Sequence, residues 1–308
     1  MKEKLGIAAN EVKQVIKGKD MIVDKVLAAI IAGGHILLED IPGVGKTTLA
    51  VAVARVLSLN YRRVQFTPDV LPSDIVGFSM YNKKIDEFEY KPGAILCNLF
   101  LADEINRTSP KTQSALLEVM EERKVTVDGV TRRLAAPFTV IATENPLGSS
   151  GTQKLPESQL DRFMICLSMG YPSHEDAVRI LRDNALAPLE HLNPVLSGSE
   201  IVELQKETDA VFVSDSIYDY IVTLTELTRT SELLSTGASP RGSIALLRMS
   251  KAIALLHGRD YVMPEDIYEI FGDVFGHRVK LSPKGRADGV TISQALEQIF
   301  RSVSAPGT

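Results

Sequence analysis

A lysine and a threonine stand directly behind a flexible loop in the segment Asp40-Ile41-Pro42-Gly43-Val44-Gly45-Lys46-Thr47-Thr48. The apolar run His35-Ile36-Leu37-Leu38 precedes it, and the helix-forming run Leu49-Ala50-Val51-Ala52-Val53-Ala54 follows. Strand, glycine-rich turn and helix in that order surround an anion with backbone N–H groups and a helix N-terminus, and a triphosphate suits that cradle. There Lys46 reaches the outer phosphates and the Thr47 hydroxyl ligates Mg²⁺. The strict pattern has glycine at position 40, where this chain has Asp40; Gly43, Gly45, Lys46 and Thr47 carry the rest. An ordinary turn between strand and helix is the alternative reading.

A second group of chemistry-bearing residues ends the apolar run Leu99-Phe100-Leu101-Ala102-Asp103-Glu104. Functional groups gather at the carboxyl ends of parallel strands, so Asp103 and the loop can meet at one sheet edge. Asp103 then shares a Mg²⁺ with Thr47, and Glu104 polarises a water for attack on the γ-phosphate. A further strand, Val140-Ile141-Ala142-Thr143-Glu144-Asn145-Pro146, ends in Asn145, which can orient that water or touch the phosphate. Arg162 opens another strand, and Arg241 stands at a helix start, where the dipole disfavours a cation. Both are therefore candidates for an anion, because a guanidinium matches phosphate geometry.

The elements that must position these residues alternate. Strand-like runs at Ile36–Leu38, Arg63–Phe66, Ile95–Ala102, Phe138–Ala142 and Phe163–Ser168 are separated by helical patterns such as Thr47–Leu57 and Thr112–Glu122. That alternation predicts an α/β fold with a parallel sheet covered on both faces. From about Ser173 amphipathic helices take over: Glu175–Leu186, Ser199–Asp209, Asp215–Glu232, Pro240–Leu256 and Pro264–Phe271. Tyr171-Pro172-Ser173 reads as the hinge, giving an α/β unit over 1–172 and a helical unit over 173–308. Residues 67–94 hold Pro68, Pro72, Gly77, Pro92 and Gly93 and are long for a connection, which predicts a functional insertion. Residues 124–134 alternate β-branched residues about Asp128-Gly129, a hairpin signal.

The 308-residue chain is 44% hydrophobic, enough for a substantial core. Lys and Arg total 34 against 39 Asp and Glu, a net −5 that gives no overall basic signature for nucleic acid. Cys97 and Cys166 are expected as buried free thiols rather than a disulfide framework. The start Met1-Lys2-Glu3-Lys4 lacks a following apolar stretch, and the longest apolar run, Val26–Ala32, is too short to span a bilayer. A cytoplasmic protein without a membrane span is expected.

Taken together the motifs resemble the MoxR family of AAA+ ATPases from about Val12 to Lys280. The resemblance rests on Leu37–Thr47, Phe66-Thr67-Pro68-Asp69-Val70-Leu71-Pro72-Ser73-Asp74, Leu101–Arg107, Lys111–Glu118, Ala142–Pro146, Leu160–Phe163 and Gly237–Arg241. The family's loop also begins as here, at Asp40. The resemblance implies a five-stranded parallel sheet of order 5-1-4-3-2 followed by an all-α lid. It makes Gly43, Val44, Gly45, Lys46, Thr47 and Thr48 the ATP-binding loop, with Thr47 and Asp103 at the Mg²⁺. Asp103 and Glu104 become the Walker B pair, with Glu104 the catalytic carboxylate that polarises water, Asn145 sensor 1, Arg162 an arginine finger serving the neighbouring subunit, and Arg241 sensor 2 within its own. The segment holding Ile16 and Gly18 would meet adenine. Residues 67–94 would be the helix-2 insert and 124–134 the pre-sensor-1 hairpin, facing a partner or a central pore. A hexameric ring, a von Willebrand factor A domain partner, and remodelling or metal-loading of client complexes are implied as well. The chain departs from the family at Lys91-Pro92-Gly93-Ala94-Ile95 and Gln153-Lys154, both away from phosphate chemistry.

Two other readings remain open at this level. A DNA-acting motor gains from Lys124, Arg132 and Arg133 in the hairpin and loses from the overall charge. A nucleotide-binding regulator that hardly turns over is opposed by Glu104. A GTPase is disfavoured by the placement of Asp86, one residue too late for an Asn-Lys-x-Asp clamp beginning at Asn82.

Overall fold

The structure is a computed structural model and describes residues 1–145, 154–182 and 189–307. Its strands are β1 (Ile36–Glu39), β2 (Tyr61–Gln65), β3 (Gly77–Asn82), β4 (Glu87–Pro92), β5 (Leu99–Asp103), β6 (Lys124–Val127), β7 (Val130–Arg133), β8 (Thr139–Glu144), β9 (Ile165–Leu167), β10 (Leu234–Thr236) and β11 (Lys280–Leu281). The first helices are α1 (Lys2–Val15), α2 (Asp20–Ile31), α3 (Lys46–Val56), α4 (Pro72–Val76), α5 (Pro110–Glu122), α6 (Glu157–Leu160) and α7 (His174–Arg182). They are followed by α8 (Gly198–Asp209), α9 (Asp215–Thr230), α10 (Pro240–Leu256), α11 (Pro264–Phe275), α12 (Pro283–Ala287) and α13 (Ile292–Ser302).

The main sheet has the order β2-β5-β8-β1-β9. Every pairing in it is parallel, and numbered within the sheet it reads 5-1-4-3-2 from the β9 edge. Alternating side chains divide between two apolar clusters, as strand geometry requires. Ile36, Leu38, Leu99, Leu101 and Ile141 face a cluster shared with α1, α2 and α3. Leu37, Phe100, Ala102, Val140 and Ala142 face the other, with Leu116, Leu117 and Met120 of α5. The first cluster runs on without a break into the helical region through Leu204, Leu224, Leu246 and Ile270. Helix α2 is the junction: it packs against α8 and α10, and the ammonium of its Lys25 lies 2.6 Å from Asp273 of α11.

Helix starts follow the proline signals. Pro240 and Pro264 open α10 and α11, and the Ser239 hydroxyl caps α10 by accepting from the Gly242 N–H. The helical region also holds a two-stranded antiparallel ribbon of β10 and β11, beyond the helices expected there. Continuation of α7 to Leu186, and position 153, lie outside the described residues. Over residues 67–94 the insertion is built as α4 followed by the β3–β4 hairpin. The second hairpin, β6–β7, turns at Asp128 and Gly129 with φ of 50° and 75°, the left-handed pair such turns need. Arg132 of β7 lies 3.7 Å from the centre of the Tyr90 ring, so a cation–π contact joins the two hairpins. Cys97 is buried, Cys166 half-buried, and both are free thiols. Among the described residues, no helix is long and apolar enough to cross a membrane.

Candidate active site

Three strand ends and the loop after β1 meet at the carboxyl edge of the sheet. Gly43 and Gly45 hold φ of 84° and 96°, a left-handed conformation that a side chain would strain. Gly45 caps α3, so Lys46 is its first residue and Thr47 and Thr48 follow in the first turn. These residues, with Arg63, Gln65, Asp103, Glu104 and Asn145, line a cleft of about 390 Å³. Asp40 has a structural task. Its carboxylate accepts from the Gly170 N–H at 2.6 Å and the Ser168 hydroxyl at 3.3 Å, tying the loop to the end of β9. Its carbonyl accepts from Lys46 Nζ at 2.6 Å, presenting the ammonium along the loop.

Asn145 joins the two halves of the cleft: its Oδ1 accepts from Lys46 at 3.3 Å and its Nδ2 donates to Glu104 at 3.0 Å. Burial depresses the Lys46 pKa, while Asp40, Asp103 and Glu104 oppose that shift. Glu104 sits in the left-handed region at φ 56°, and such strain is tolerated where neighbours fix it. Here the fixing neighbour is Thr143 of β8. Its hydroxyl accepts from the Glu104 N–H at 2.8 Å and donates to Asp103 Oδ1 at 2.6 Å. A single buried hydroxyl thus sets both acids.

Both acids carry partners that sequence reasoning missed. Arg63 of β2 donates to Asp103 Oδ2 through Nε at 3.2 Å and Nη2 at 2.7 Å. Glu104 accepts from Gln65 at 2.9 Å and from Arg107 at 2.7 Å. The signal for Arg63 and Gln65 was their alternate placement along β2, which neighbours β5 in register Arg63↔Leu101 and Gln65↔Asp103.

Ile16 is buried in the apolar cluster, and neither it nor Gly18 is among the residues that line the cleft. Lys19 Nζ donates to the Tyr171 carbonyl at 2.9 Å, and Tyr171 follows the Gly170 that holds Asp40. Gly18 has φ 69°, and a Cβ there would meet the Asp176 carboxylate at 2.0 Å, so no other residue fits without rearrangement.

The structure does not bring Arg162 and Arg241 to this cleft. Arg162 precedes β9 and Arg241 opens α10, and both lie at the opposite, amino-terminal edge with Gly34 and His35 before β1. A strand length, about 16 Å for five residues, separates the two edges. There both guanidiniums reach one carboxylate, Glu121: Arg241 Nη2 at 2.6 Å and Arg162 Nη2 at 3.3 Å. Arg241, expected to act within its own subunit, thus stands away from that subunit's cleft. The start of α10 is held behind the sheet, because Ser239 donates to Asp161 at 3.0 Å and buried Arg278 clamps the same carboxylate at 2.8 Å.

Comparison with known proteins gives the family of both regions of the chain. Residues 35–165 match the model of the ATPase family associated with various cellular activities, and residues 226–299 match the AAA lid domain. YeaC of Bacillus subtilis is 48% identical over 98% of this chain and 95% of its own length. Chaperone MoxR1 of Mycobacterium tuberculosis is 38% identical over 96% of this chain and 81% of its own. A crystal structure of a candidate ATPase from Cytophaga hutchinsonii superposes with a TM-score of 0.92 at 37% identity, covering 99% of this chain and 96% of that one. Sheet order, loop, acid pair and lid, with relatives of this identity over almost the whole length, make the chain a member of the MoxR family of AAA+ ATPases.

Proposed function

We propose that the protein hydrolyses Mg·ATP at a site completed by a second copy of the chain, and uses the cycle to remodel protein complexes. One observation carries the reading. Lys46, Asp103, Glu104 and Asn145 share one cleft, while the two candidate arginines stand together on the opposite edge. Arg63 is already paired with Asp103 and Arg107 with Glu104, which leaves Lys46 to meet a developing triphosphate charge, and arginines supplied from a neighbour answer that need.

The residues fit both nucleotide and metal. Gly43 and Gly45 line the cleft with left-handed backbone, and the Thr47 hydroxyl with the Asp103 carboxylate are hard oxygen donors of the kind Mg²⁺ takes. When bound there, Mg²⁺ would neutralise charge on the β- and γ-phosphate oxygens. Lys46 exchanges the Asp40 carbonyl and Asn145 for phosphate oxygens. Glu104, released from Arg107 and Gln65, accepts the proton of the attacking water, and Asn145 fixes that water's orientation. The Ile16–Gly18 segment forms the wall beside the base. Arg162 and Arg241 reach into the neighbour's cleft, which makes hydrolysis depend on assembly.

A closed ring of six subunits and a partner with a von Willebrand factor A domain follow the family pattern, and the name of the mycobacterial relative supports a chaperone role. The paired hairpins β3–β4 and β6–β7, with Phe78, Met80 and Phe88 exposed, are the surface offered to that client.

Mixing tests the shared site. Glu104→Gln and Arg241→Ala proteins should each be nearly inactive alone. Combined, they should regain ATPase activity, since Arg241 of the first then serves the intact acid of the second. No recovery at any ratio would show that Arg241 does not act between subunits.

A further inference from the structure

Glu121 lies in the last turn of α5, the 13-residue helix that starts near the acid pair and ends at the arginine edge. Its two oxygens are divided: Oε1 accepts from Arg241 and Oε2 lies within ion-pair distance of Arg162. Two anionic oxygens, one for each guanidinium, is also how a phosphate group would occupy the pair. The surrounding space of about 200 Å³ is strongly cationic, with Arg123, Arg248 and Arg278 joining the first two arginines. Asp161 is the other carboxylate lining it, and it is committed to Arg278 and Ser239. Arg162 Nε is buried and has no hydrogen-bond partner among the described residues. Among the described residues the pair is therefore held by a single acid, and it still has donor capacity to give.

We propose that Glu121 is a positioning residue, an internal stand-in for phosphate that holds Arg162 and Arg241 until the neighbouring subunit's nucleotide displaces it. The inference rests on the shared-site reading above. A carboxylate among the cations that must receive a triphosphate opposes the incoming anion, so joining subunits has to break the Glu121 contacts. Glu121 is about two-fifths exposed, which makes those contacts weak enough to exchange.

The test is Glu121→Gln in the full-length protein, which keeps the shape and removes the charge. ATPase activity is measured against protein concentration, and assembly with a non-hydrolysable ATP analogue is followed by sedimentation velocity. The half-activating concentration should fall about three- to ten-fold, the scale of one or two exposed ion pairs. Turnover per subunit at saturating concentration should stay within about two-fold of the parent. Glu118→Gln, one turn earlier on the same helix, should shift neither quantity. An unchanged or higher half-activating concentration would overturn the proposal, as would an equal shift with Glu118→Gln or a large loss of saturated turnover. Failure of the shared-site reading appears separately, as absent recovery in the Glu104→Gln and Arg241→Ala mixture.

Discussion

The two acids at the cleft differ in what restrains them. Asp103 gives one oxygen to Thr143 and the other to Arg63, so a metal ion must take the second oxygen from a guanidinium. Arg63→Ala should therefore lower the Mg²⁺ concentration for half-maximal ATPase activity several-fold; a rise would mean that Arg63 assists metal or phosphate binding instead. Asp103, Glu104 and Asn145 were legible in the sequence because each follows an apolar run that strand direction carries to the carboxyl edge, and Lys46 because it opens a helix behind a glycine loop. Thr143, Arg63 and Gln65 were not, because their roles come from lateral register. Thr143 matters only because β8 lies beside β5, and no spacing along the chain announces that pairing. Asp40 looked like a lapse in the glycine pattern and proves to be the anchor to β9.

Among the elements, β1 and β8 end in register with Glu39 opposite Glu144. Burial, then the Glu39 charge, raises the Glu144 pKa to about 7, against a smaller opposing effect of Lys154. The folded value lies above that of an unfolded chain, so this carboxyl costs stability as pH rises from about 4.5 through 7. Glu144→Gln should raise the Tm at pH 8 by roughly 2–4 °C and leave it unchanged at pH 4; an equal gain at both values would trace to packing rather than charge. Helix limits were close to the periodicity, and Pro240–Leu256 is as expected. The insertion was harder. Its punctuating prolines and glycines marked an insertion without naming its elements, yet Phe88, Tyr90 and Pro92 alternate with Glu87, Glu89 and Lys91 along β4. That alternation was the available signal for a strand, and the breakers around it masked it.

For the whole molecule, the attachment of the helical region decides where Arg241 stands, and local pattern could not supply it. Arg278 is the fastening: its side chain is 2% exposed, and it binds Asp161 and the carbonyls before β9. Arg278→Met should cost about 3–5 kcal/mol, the usual result of leaving one partner of a buried pair alone. Chemical denaturation would measure it, and a loss below about 1 kcal/mol would show that the apolar cluster alone holds the two regions together.

On the proposed shared site, acids and arginines on opposite edges make the contact that completes a cleft head-to-tail rather than two-fold. A row of such copies with free ends always has one unfinished cleft, at the terminus that nothing follows. Closing the row completes that last cleft without adding a subunit, so catalytic output per chain distinguishes a circle from a broken one.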